Sequence, residues 1–290
     1  MKATQQQVWL VTGSAHGLGR AIVEEALAAG HNLIATARDP SRLGDLVQRY
    51  GDRVRTATLD VRDAPAARDA VKAAFDAFGR LDVVVNNAGY GQIAPFEQMS
   101  EEDFRALVDT CFYGVVNMTR AALPAMRAQR SGHIIQISSV GGRMGTPGSA
   151  AYHAAKWAVG GFTEGLALEV APFGVKMCTV EPGGMRTNWG ARASGDIPAL
   201  LPDYEPTVGA FARLLSGYWG QETSDPAKVA SLILRLAESE SLPAHLLVGS
   251  DAVQRTEQVE EARAAEARRW RDVSVSTDVN APNFEPALPV

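Results

Sequence analysis

The chain has 290 residues, of which 46% are hydrophobic and 21% are charged, and its formal net charge is −5. This is the composition of an ordinary globular protein, long enough for one large α/β domain or two small ones. The negative charge gives no general attraction to nucleic acid or to an anionic membrane, and no apolar run is long enough to span a bilayer, so we expect neither partner.

Short apolar runs alternate with helix-like segments along most of the chain, and this alternation predicts βαβ units with a parallel sheet. Several of the runs are continuously apolar, which is typical of strands covered on both faces. We therefore predict a doubly wound, Rossmann-type sheet of about seven strands with helices on both faces. The predicted strands are 8–12, 32–37, 54–59, 81–87, 133–138, 175–180 and 245–249, and the main helical segments are 18–29, 64–79, 101–130 and 152–171.

Two regions depart from this alternation. Residues 183–224 are rich in glycine, proline and aromatic residues, and a segment of this length inside a compact domain predicts a substrate lid. After Gly249 we predict one more helix over 251–272 and an irregular tail over 276–290. The predicted organisation is a catalytic domain over 1–250 with an extension over 251–290.

The two cysteines, Cys111 and Cys178, are too few for a disulfide framework and fit no metal-ligand spacing. Their use predicts a reducing compartment. The amino-terminal apolar segment is too short for a signal peptide, so we expect a cytoplasmic protein.

A glycine-rich turn follows the first predicted strand and opens the first predicted helix. It reads TGSAHGLG and contains Gly13, Gly17 and Gly19. Glycines at this place let the backbone approach a pyrophosphate at the positive end of a helix. The alternative is a strand–helix connection that needs glycine only for its positive φ.

The end of the second predicted strand bears on the choice of nucleotide. Ala37 stands where an acidic residue would bind the ribose 2′-hydroxyl of NAD, and Arg38 follows it, with Arg42 one turn later. This pattern favours NADP(H), although NAD(H) is possible and Arg38 could simply pair with Asp39. Asp60 ends the third strand, where it could reach an adenine or cap the next helix.

Four motifs beyond the glycine turn occur in a fixed order. Tyr152 and Lys156 form a Tyr-x-x-x-Lys pair on one helical face, and Ser139 stands thirteen residues before the tyrosine. NNAG (86–89) follows the fourth strand, and EPGGMRT (181–187) follows the sixth. With TGSAHGLG, these motifs resemble the single-domain short-chain dehydrogenase/reductase family over residues 8–190, in a branch with an extended carboxyl terminus.

The resemblance implies an oxidoreductase that interconverts a ketone and a secondary alcohol by hydride transfer. Ser139 would hold the substrate oxygen, Tyr152 would exchange the proton, and Lys156 would bind the nicotinamide ribose. A nearby ammonium should lower the pKa of the phenol towards neutrality. The resemblance also implies a set of cofactor contacts: Gly13, Ser14, His16, Gly17, Leu18, Gly19, Arg38, Asp60, Val61, Asn87, Ala88, Gly89, Tyr152, Lys156, Pro182, Gly183 and Thr187.

One residue departs from the family pattern. The family often has an asparagine three residues before a glycine in the helix after the fourth strand, where it is thought to hold a water that relays protons to the lysine. Cys111 stands there, three residues before Gly114, and Asn117 should face elsewhere. A thiol is a poor hydrogen-bonding partner for a relay. The alternative function is therefore a weak or inactive NADP(H)-binding sensor.

The predicted lid carries many apolar residues, which suit either an apolar or bulky substrate or the sealing of a core or subunit contact. Gln92, Arg143 and Met144 lie beside the predicted cleft and could also touch substrate. The resemblance to longer family members favours a homodimer or homotetramer, with 101–130 as a candidate contact helix. A sugar-nucleotide epimerase shares the Tyr–Lys chemistry, but it should have a larger substrate domain than this lid.

Overall fold

In the computed structural model, residues 6–195, 197–281 and 286–289 are described. Seven strands form one sheet, every neighbouring pair is parallel, and the order is β3-β2-β1-β4-β5-β6-β7. The predicted fold class is thus confirmed. The strands are β1 (Val8–Val11), β2 (Asn32–Ala37), β3 (Val54–Thr58), β4 (Val83–Asn86), β5 (Gly132–Ile137), β6 (Val175–Pro182) and β7 (His245–Val248).

Helices cover both faces of the sheet because its central strands are apolar on both sides; β1 and β4 are buried along their whole length. The helices are α1 (Gly17–Ala28), α2 (Gly44–Tyr50), α3 (Ala64–Phe78), α4 (Glu101–Val108), α5 (Gly114–Gln129), α6 (Ala150–Val170), α7 (Trp189–Gly195), α8 (Ala210–Tyr218), α9 (Pro226–Ala237), α10 (Ser250–Arg269) and α11 (Arg271–Val275).

Two apolar layers fill the space between sheet and helices. On one face, α1, α2 and α9 pack around Trp9, Ile22 and Ile233. On the other face, α3, α5 and α6 pack around Leu10 and Met118. The strand order reverses between β1 and β4, so a crevice opens at the carboxyl ends of these strands, the usual ligand position in an open α/β sheet.

The segment 101–130 is not the single helix that its pattern predicts. A π-helical turn, Asp109–Tyr113, separates α4 from α5. At this turn the hydroxyl of Thr110 donates a 2.8 Å hydrogen bond back to the carbonyl oxygen of Ala106. The wider turn changes which side of the helix faces the protein. Cys111 is buried against α6, whereas Met118 is buried against the sheet.

Local capping explains where several helices begin. Asp63 caps α3 by accepting a 3.2 Å bond from the amide of Ala66, and Ser100 caps α4 through the amide of Asp103 at 3.0 Å. The cap of α3 is therefore Asp63 and not Asp60, which we considered above. Asp60 bonds instead to the amide and guanidinium of Arg62.

The predicted lid contains two short helices, α7 and α8, and its two ends meet in a parallel bridge between Met185 and Ser224. Asp196 of the lid lies outside the described residues. After β7, α10 runs across the molecule and is followed by the short α11. The described part of the predicted irregular tail has only turns, and residues 282–285 and 290 lie outside the described residues.

Helix α10 contacts the body of the protein near its start and in its middle. Near its start, Asp251 accepts a 2.8 Å bond from the amide of Gly184. Further along, Glu260 forms an ion pair with Arg143, and the guanidinium of Arg263 donates a 2.7 Å bond to the Arg143 carbonyl oxygen. The Arg263 guanidinium also lies 4.8 Å from the centre of the Trp157 ring. Among the described residues, no helix combines the length and apolar character that a membrane span requires.

Candidate active site

The structure brings Ser139, Tyr152 and Lys156 together at the carboxyl edge of the sheet. Ser139 lies just after β5, while Tyr152 and Lys156 lie one turn apart on α6. The ammonium of Lys156 is buried, donates a 2.7 Å hydrogen bond to the carbonyl oxygen of Ile137, and lies 5.6 Å from the centre of the Tyr152 ring. The helix therefore sets the spacing of the pair, and the sheet edge fixes the lysine.

The ionisation of this group differs from the sequence expectation. Burial raises the pKa of the Tyr152 phenol above its ordinary value, against the smaller opposing effect of the Ser139 hydrogen bond. Burial also lowers the pKa of Lys156. Without a bound cofactor, desolvation thus outweighs the expected effect of the ammonium on the phenol. Tyr152 is consequently a protonated phenol at neutral pH, suited to donate a proton.

The two serines after β5 have different environments. Ser138 is buried; its hydroxyl donates to the carbonyl oxygen of Lys156 at 3.3 Å and its amide to Val180 at 2.8 Å, which ties α6 and β6 to β5. The Ser139 oxygen accepts a 3.0 Å bond from the amide of Gly141. The Gly141 contact therefore uses only a lone pair of the Ser139 oxygen and leaves its O–H for the Tyr152 phenol or a ligand oxygen.

The glycine turn forms a cradle at the amino end of α1. Gly13 and Gly17 have φ angles of +68° and +54°, a backbone conformation that residues other than glycine rarely adopt. A Cβ on Gly19 would collide with the carbonyl oxygen of Gly13 and the side-chain nitrogen of Asn87. His16 provides no side-chain cap, so the first amides of α1 point into the crevice. These features fit a bound pyrophosphate.

Sequence reasoning missed Thr12, which joins this cradle to β4. Its hydroxyl oxygen accepts bonds from the amides of Asn87 (2.9 Å) and Ala88 (3.0 Å). The Asn87 side chain returns a 3.0 Å bond to the Thr12 carbonyl oxygen. The signal available was the position of a threonine immediately after a buried strand. The side chains of Ser14 and Leu18, predicted to contact cofactor, are buried, which leaves their backbone atoms for that role.

Basic side chains gather at the end of β2. Arg38 is exposed and makes no ion pair among the described residues, so its considered pairing with Asp39 does not occur. The Asp39 carboxylate bonds instead to Ser41, with Arg42 at 3.6 Å. Arg42 also lies 2.7 Å from the imidazole of His16, whose pKa is lowered by burial and by the neighbouring arginines. The cluster suits an anion.

The end of β3 forms the adjoining wall. Asp60 pairs with Arg62 at 2.6 Å, and this hydrogen-bonded arginine holds the pKa of the Asp60 carboxyl below its ordinary value. Val61 is buried against Gly114. Asn117 donates to the carbonyl oxygens of Val61 (3.0 Å) and Arg62 (3.2 Å), so it supports this wall and faces away from Lys156, as expected.

Cys111 occupies the position where the family asparagine was expected. It is buried, and its thiol donates a 3.3 Å bond to the carbonyl oxygen of Tyr90. A Cβ built on Gly89 would lie 3.4 Å from the Cys111 sulfur and 3.7 Å from the Lys156 nitrogen. The cysteine therefore lies beside Lys156 and ties the 87–90 segment to the π-helical turn.

Residues of the predicted lid pack against this group from the other side. The ring of Trp189 lies 5.4 Å from the Tyr152 ring and packs against Gly91. Thr187 lies over the glycine cradle, where a Cβ on Gly17 would be 3.5 Å from it. Pro182 is buried at the end of β6, and Gly183, which follows it, packs against Asp251 of α10.

Not every residue beside the cleft faces substrate. Arg143, which we expected to be available for substrate, is held by Glu260 and turned towards α10. Tyr218 packs against Gly184 and Trp219 against Gly190. The Trp219 indole also donates a 3.1 Å bond to Ser194, so these two aromatic residues stabilise the predicted lid internally. Gln92 and Met144 are partly buried beside the cleft.

Comparisons with known proteins find one family and one fold. The profile of a family described as short chain dehydrogenase matches residues 7–197. The chain is 46% identical over 272 residues to oxidoreductase BOA17 of Botryotinia fuckeliana, covering 93% of this chain and 99% of that protein. It is 37% identical over 247 residues to 3-ketodihydrosphingosine reductase of Bacteroides thetaiotaomicron, covering 84% and 88%. A short-chain dehydrogenase from Streptomyces avermitilis superposes with a TM-score of 0.87 at 39% identity, covering 94% and 100%.

Proposed function

The chain belongs to the short-chain dehydrogenase family and is an oxidoreductase, and from this premise we propose that it interconverts a ketone and a secondary alcohol with NADP(H). One observation carries the proposal: a protonated phenol, a serine donor and a buried ammonium converge beside a glycine cradle fitted to a pyrophosphate. Ser139, Tyr152 and Lys156 supply the three groups.

The residues divide the work around one oxygen atom. The glycine cradle and Arg38 would hold the nicotinamide cofactor, which when bound would provide the hydride for the carbonyl carbon. Ser139 donates a hydrogen bond to the carbonyl oxygen, which stabilises the negative charge that develops there. Tyr152, held protonated by burial, gives its proton to that oxygen, and Lys156 supports the resulting phenolate electrostatically.

Support for NADP(H) comes from the end of β2. Ala37 leaves no carboxylate for a ribose 2′-hydroxyl, and Arg38 is an exposed guanidinium suited to a 2′-phosphate. Arg42 and His16 extend the basic surface towards the glycine cradle. NAD(H) is the alternative cofactor and is separated from NADP(H) by the next measurement.

Arg38→Asp should shift cofactor preference from NADPH to NADH. Removing a charge-assisted contact and placing a carboxylate near the 2′-phosphate should weaken NADPH binding by roughly 10- to 100-fold. Titration of each cofactor by calorimetry measures the shift directly. Arg68→Asp, the same charge change on the exposed side of α3, is the control and should bind both cofactors as the parent does. Unchanged preference in Arg38→Asp would remove the basis for the NADP(H) proposal.

The lid indicates the substrate class. Trp189 packs beside the Tyr152 ring, and Val208 and Ile93 are buried apolar residues that pack against Gly148 in the loop before α6. An apolar or bulky ketone would fill such a site, because ligand pockets are lined mainly by apolar and aromatic side chains. The Bacteroides relative is named as a reductase of 3-ketodihydrosphingosine, a ketone substrate. We therefore propose a ketone that carries an extended apolar group.

A substrate panel tests the proposed function. Cyclic, aromatic and long-chain ketones and alcohols would be supplied with NADPH or NADH while the absorbance of the reduced nicotinamide is followed. We expect NADPH-dependent reduction, with turnover rising with apolar bulk. Binding of NADPH without turnover across the panel would contradict the proposal and favour a sensor.

We further propose a homodimer or homotetramer. The π-helical turn and α6 present Tyr113, Trp157 and Leu168 with 52%, 45% and 78% of their surface exposed, which is unusual for large apolar side chains. Sedimentation velocity would test this assembly. We also propose one catalytic unit over 1–250, an extension over 251–290 and a cytoplasmic location, which suits the two free, buried cysteines.

A further inference from the structure

His153, the residue after Tyr152, bridges two parts of the loop that leads from Ser139 to α6. Its Nδ1 lies 2.8 Å from the carbonyl oxygen of Gly141. Its Nε2 accepts a 2.9 Å hydrogen bond from the backbone amide of Thr146, whose hydroxyl is at the same distance. The imidazole is partly buried, and both of its nitrogen atoms have partners.

These partners specify one tautomer of the ring. A backbone amide can only donate, so Nε2 must carry no proton where it meets Thr146. A carbonyl oxygen can only accept, so Nδ1 must carry the proton that bonds to Gly141. A second proton on Nε2 would face the Thr146 amide donor to donor. The observed contacts of His153 therefore require the neutral Nδ1–H form.

The contact at Gly141 continues to the catalytic serine. The amide of Gly141 donates a 3.0 Å bond to the Ser139 oxygen, while its carbonyl oxygen bonds to His153. A Cβ on Gly141 would lie 2.9 Å from the His153 Nδ1 and 3.2 Å from the Tyr152 ring, so the turn packs directly against both side chains. Movement of this one peptide would displace the serine hydroxyl relative to the phenol.

We propose that His153 is a positioning residue for the reaction: as the neutral Nδ1–H tautomer it holds Gly141, and thereby Ser139, and its protonation releases the serine at acid pH. The proposal rests on the proposed function for its effect on turnover. The imidazole does not touch the reacting atoms in this account and acts only through the Gly141 peptide.

The surroundings of the ring favour the neutral form. The one titratable group facing it from α6 is Tyr152, with ring centroids 6.1 Å apart, and the loop 139–149 meets it with backbone groups and the Thr146 hydroxyl. In the described chain, no carboxylate or cation lies within bonding distance of the ring; Arg143 of the loop pairs with Glu260. Burial lowers the pKa of His153.

The sign of the pH effect follows from that shift. A base whose pKa is lowered by folding stabilises its contacts above its unfolded pKa, and this contribution is lost as the pH falls through the lowered, folded pKa. The positioning of Ser139 should therefore be complete at neutral pH. It should decline only at pH values below those at which an ordinary histidine gains its proton.

Nitrogen NMR of the imidazole tests the first half of the proposal without any substrate or cofactor. Protein labelled with ¹⁵N at histidine would be titrated from neutral to acid pH. We expect the His153 ring to show a protonated Nδ1 and an unprotonated Nε2 at neutral pH. An Nε2–H tautomer, or a charged ring at neutral pH, would overturn the proposal even if the enzyme reduces ketones as proposed.

Kinetics tests the second half with the most active ketone of the panel and NADPH. His153→Leu removes both hydrogen bonds and should lower kcat about 10- to 100-fold through misplacement of Ser139, with the KM for NADPH unchanged. His153→Asn keeps a donor for Gly141 and cannot titrate near neutrality. It should recover most of the lost kcat and abolish the acidic decline of kcat.

A matched control separates positioning from general destabilisation. His133→Asn changes another partly buried histidine whose pKa is also lowered by burial, and its ring bonds to the Ser239 carbonyl oxygen at 3.1 Å, away from the site. It should leave kcat and its pH profile unchanged. An acidic decline that persists in His153→Asn, or a kcat in His133→Asn as low as that of His153→Leu, would contradict the proposal.

Discussion

Tyr152→Phe should lower kcat by roughly 100- to 10,000-fold, the contribution usual for a positioned general acid. The phenylalanine ring keeps the packing against Trp189, 5.4 Å away, and against the turn after Ser139, so the protein should fold normally. Only the proton donor is lost. NADPH binding should be nearly unchanged, because the glycine cradle and Arg38 are untouched.

Three measurements check this expectation: single-turnover reduction of the best panel ketone, calorimetric titration with NADPH, and thermal unfolding. Tyr50→Phe, which removes a phenolic hydroxyl from α2 on the opposite side of the sheet, is the matched control and should retain full turnover. If Tyr152→Phe turned over at the parent rate, another group would have to supply the proton and the assignment of Tyr152 would fall.

Gly19→Ala should disrupt the nucleotide cradle and destabilise the fold together. The new Cβ would overlap the Gly13 carbonyl oxygen and the Asn87 side chain. Hydrogen bonds from the Asn87 side chain to the carbonyl oxygens of Thr12 and Gly13 hold both groups in place. Because backbone atoms cannot yield as a flexible side chain can, we expect a loss of about 1–3 kcal/mol in the free energy of unfolding. NADPH binding should weaken at least tenfold, since displacing α1 misaligns its first amides.

Urea unfolding and NADPH titration of the same preparation measure both effects. Gly44→Ala is the control, because Gly44 has helical dihedral angles at the start of α2 and open space where its Cβ would lie. That change should be neutral or stabilise the fold by about 0.4–1 kcal/mol through the unfolded chain. A Gly19→Ala protein as stable as the parent and with parent affinity would contradict the collision at α1.

The sheet and the central residues were predictable because their signals are local. Seven apolar runs with intervening helical segments define a parallel sheet, and the carboxyl ends of parallel strands share one edge. Ser139 follows β5, and the four-residue spacing of Tyr152 and Lys156 places both side chains on one face of α6. Strand order and helical spacing therefore predict that these residues meet at one edge of the sheet, while the choice of Ser139 and the three roles came from the family resemblance.

The features that escaped prediction depend on contacts between distant segments. Arg143 faces α10 because Glu260, over a hundred residues later, pairs with it. The hydrogen bonds between Thr12 and Asn87 join the ends of β1 and β4, which are neighbours only in the folded sheet. The raised pKa of Tyr152 follows from its burial in the closed site, which a sequence pattern does not measure.

The contacts of α10 have a mechanical consequence. Asp251, at its start, bonds to Gly184, where the predicted lid begins. Glu260 and Arg263 bind Arg143, in the turn that follows Ser139. At 1.5 Å per residue, Asp251 lies about 14 Å from Glu260 and about 18 Å from Arg263 along one continuous helix. An α-helix resists stretching, so a shift of α10 along its axis would displace its contacts with Gly184 and with Arg143 together. The start of the predicted lid and the turn after Ser139 are thus held by one helix outside the nucleotide fold.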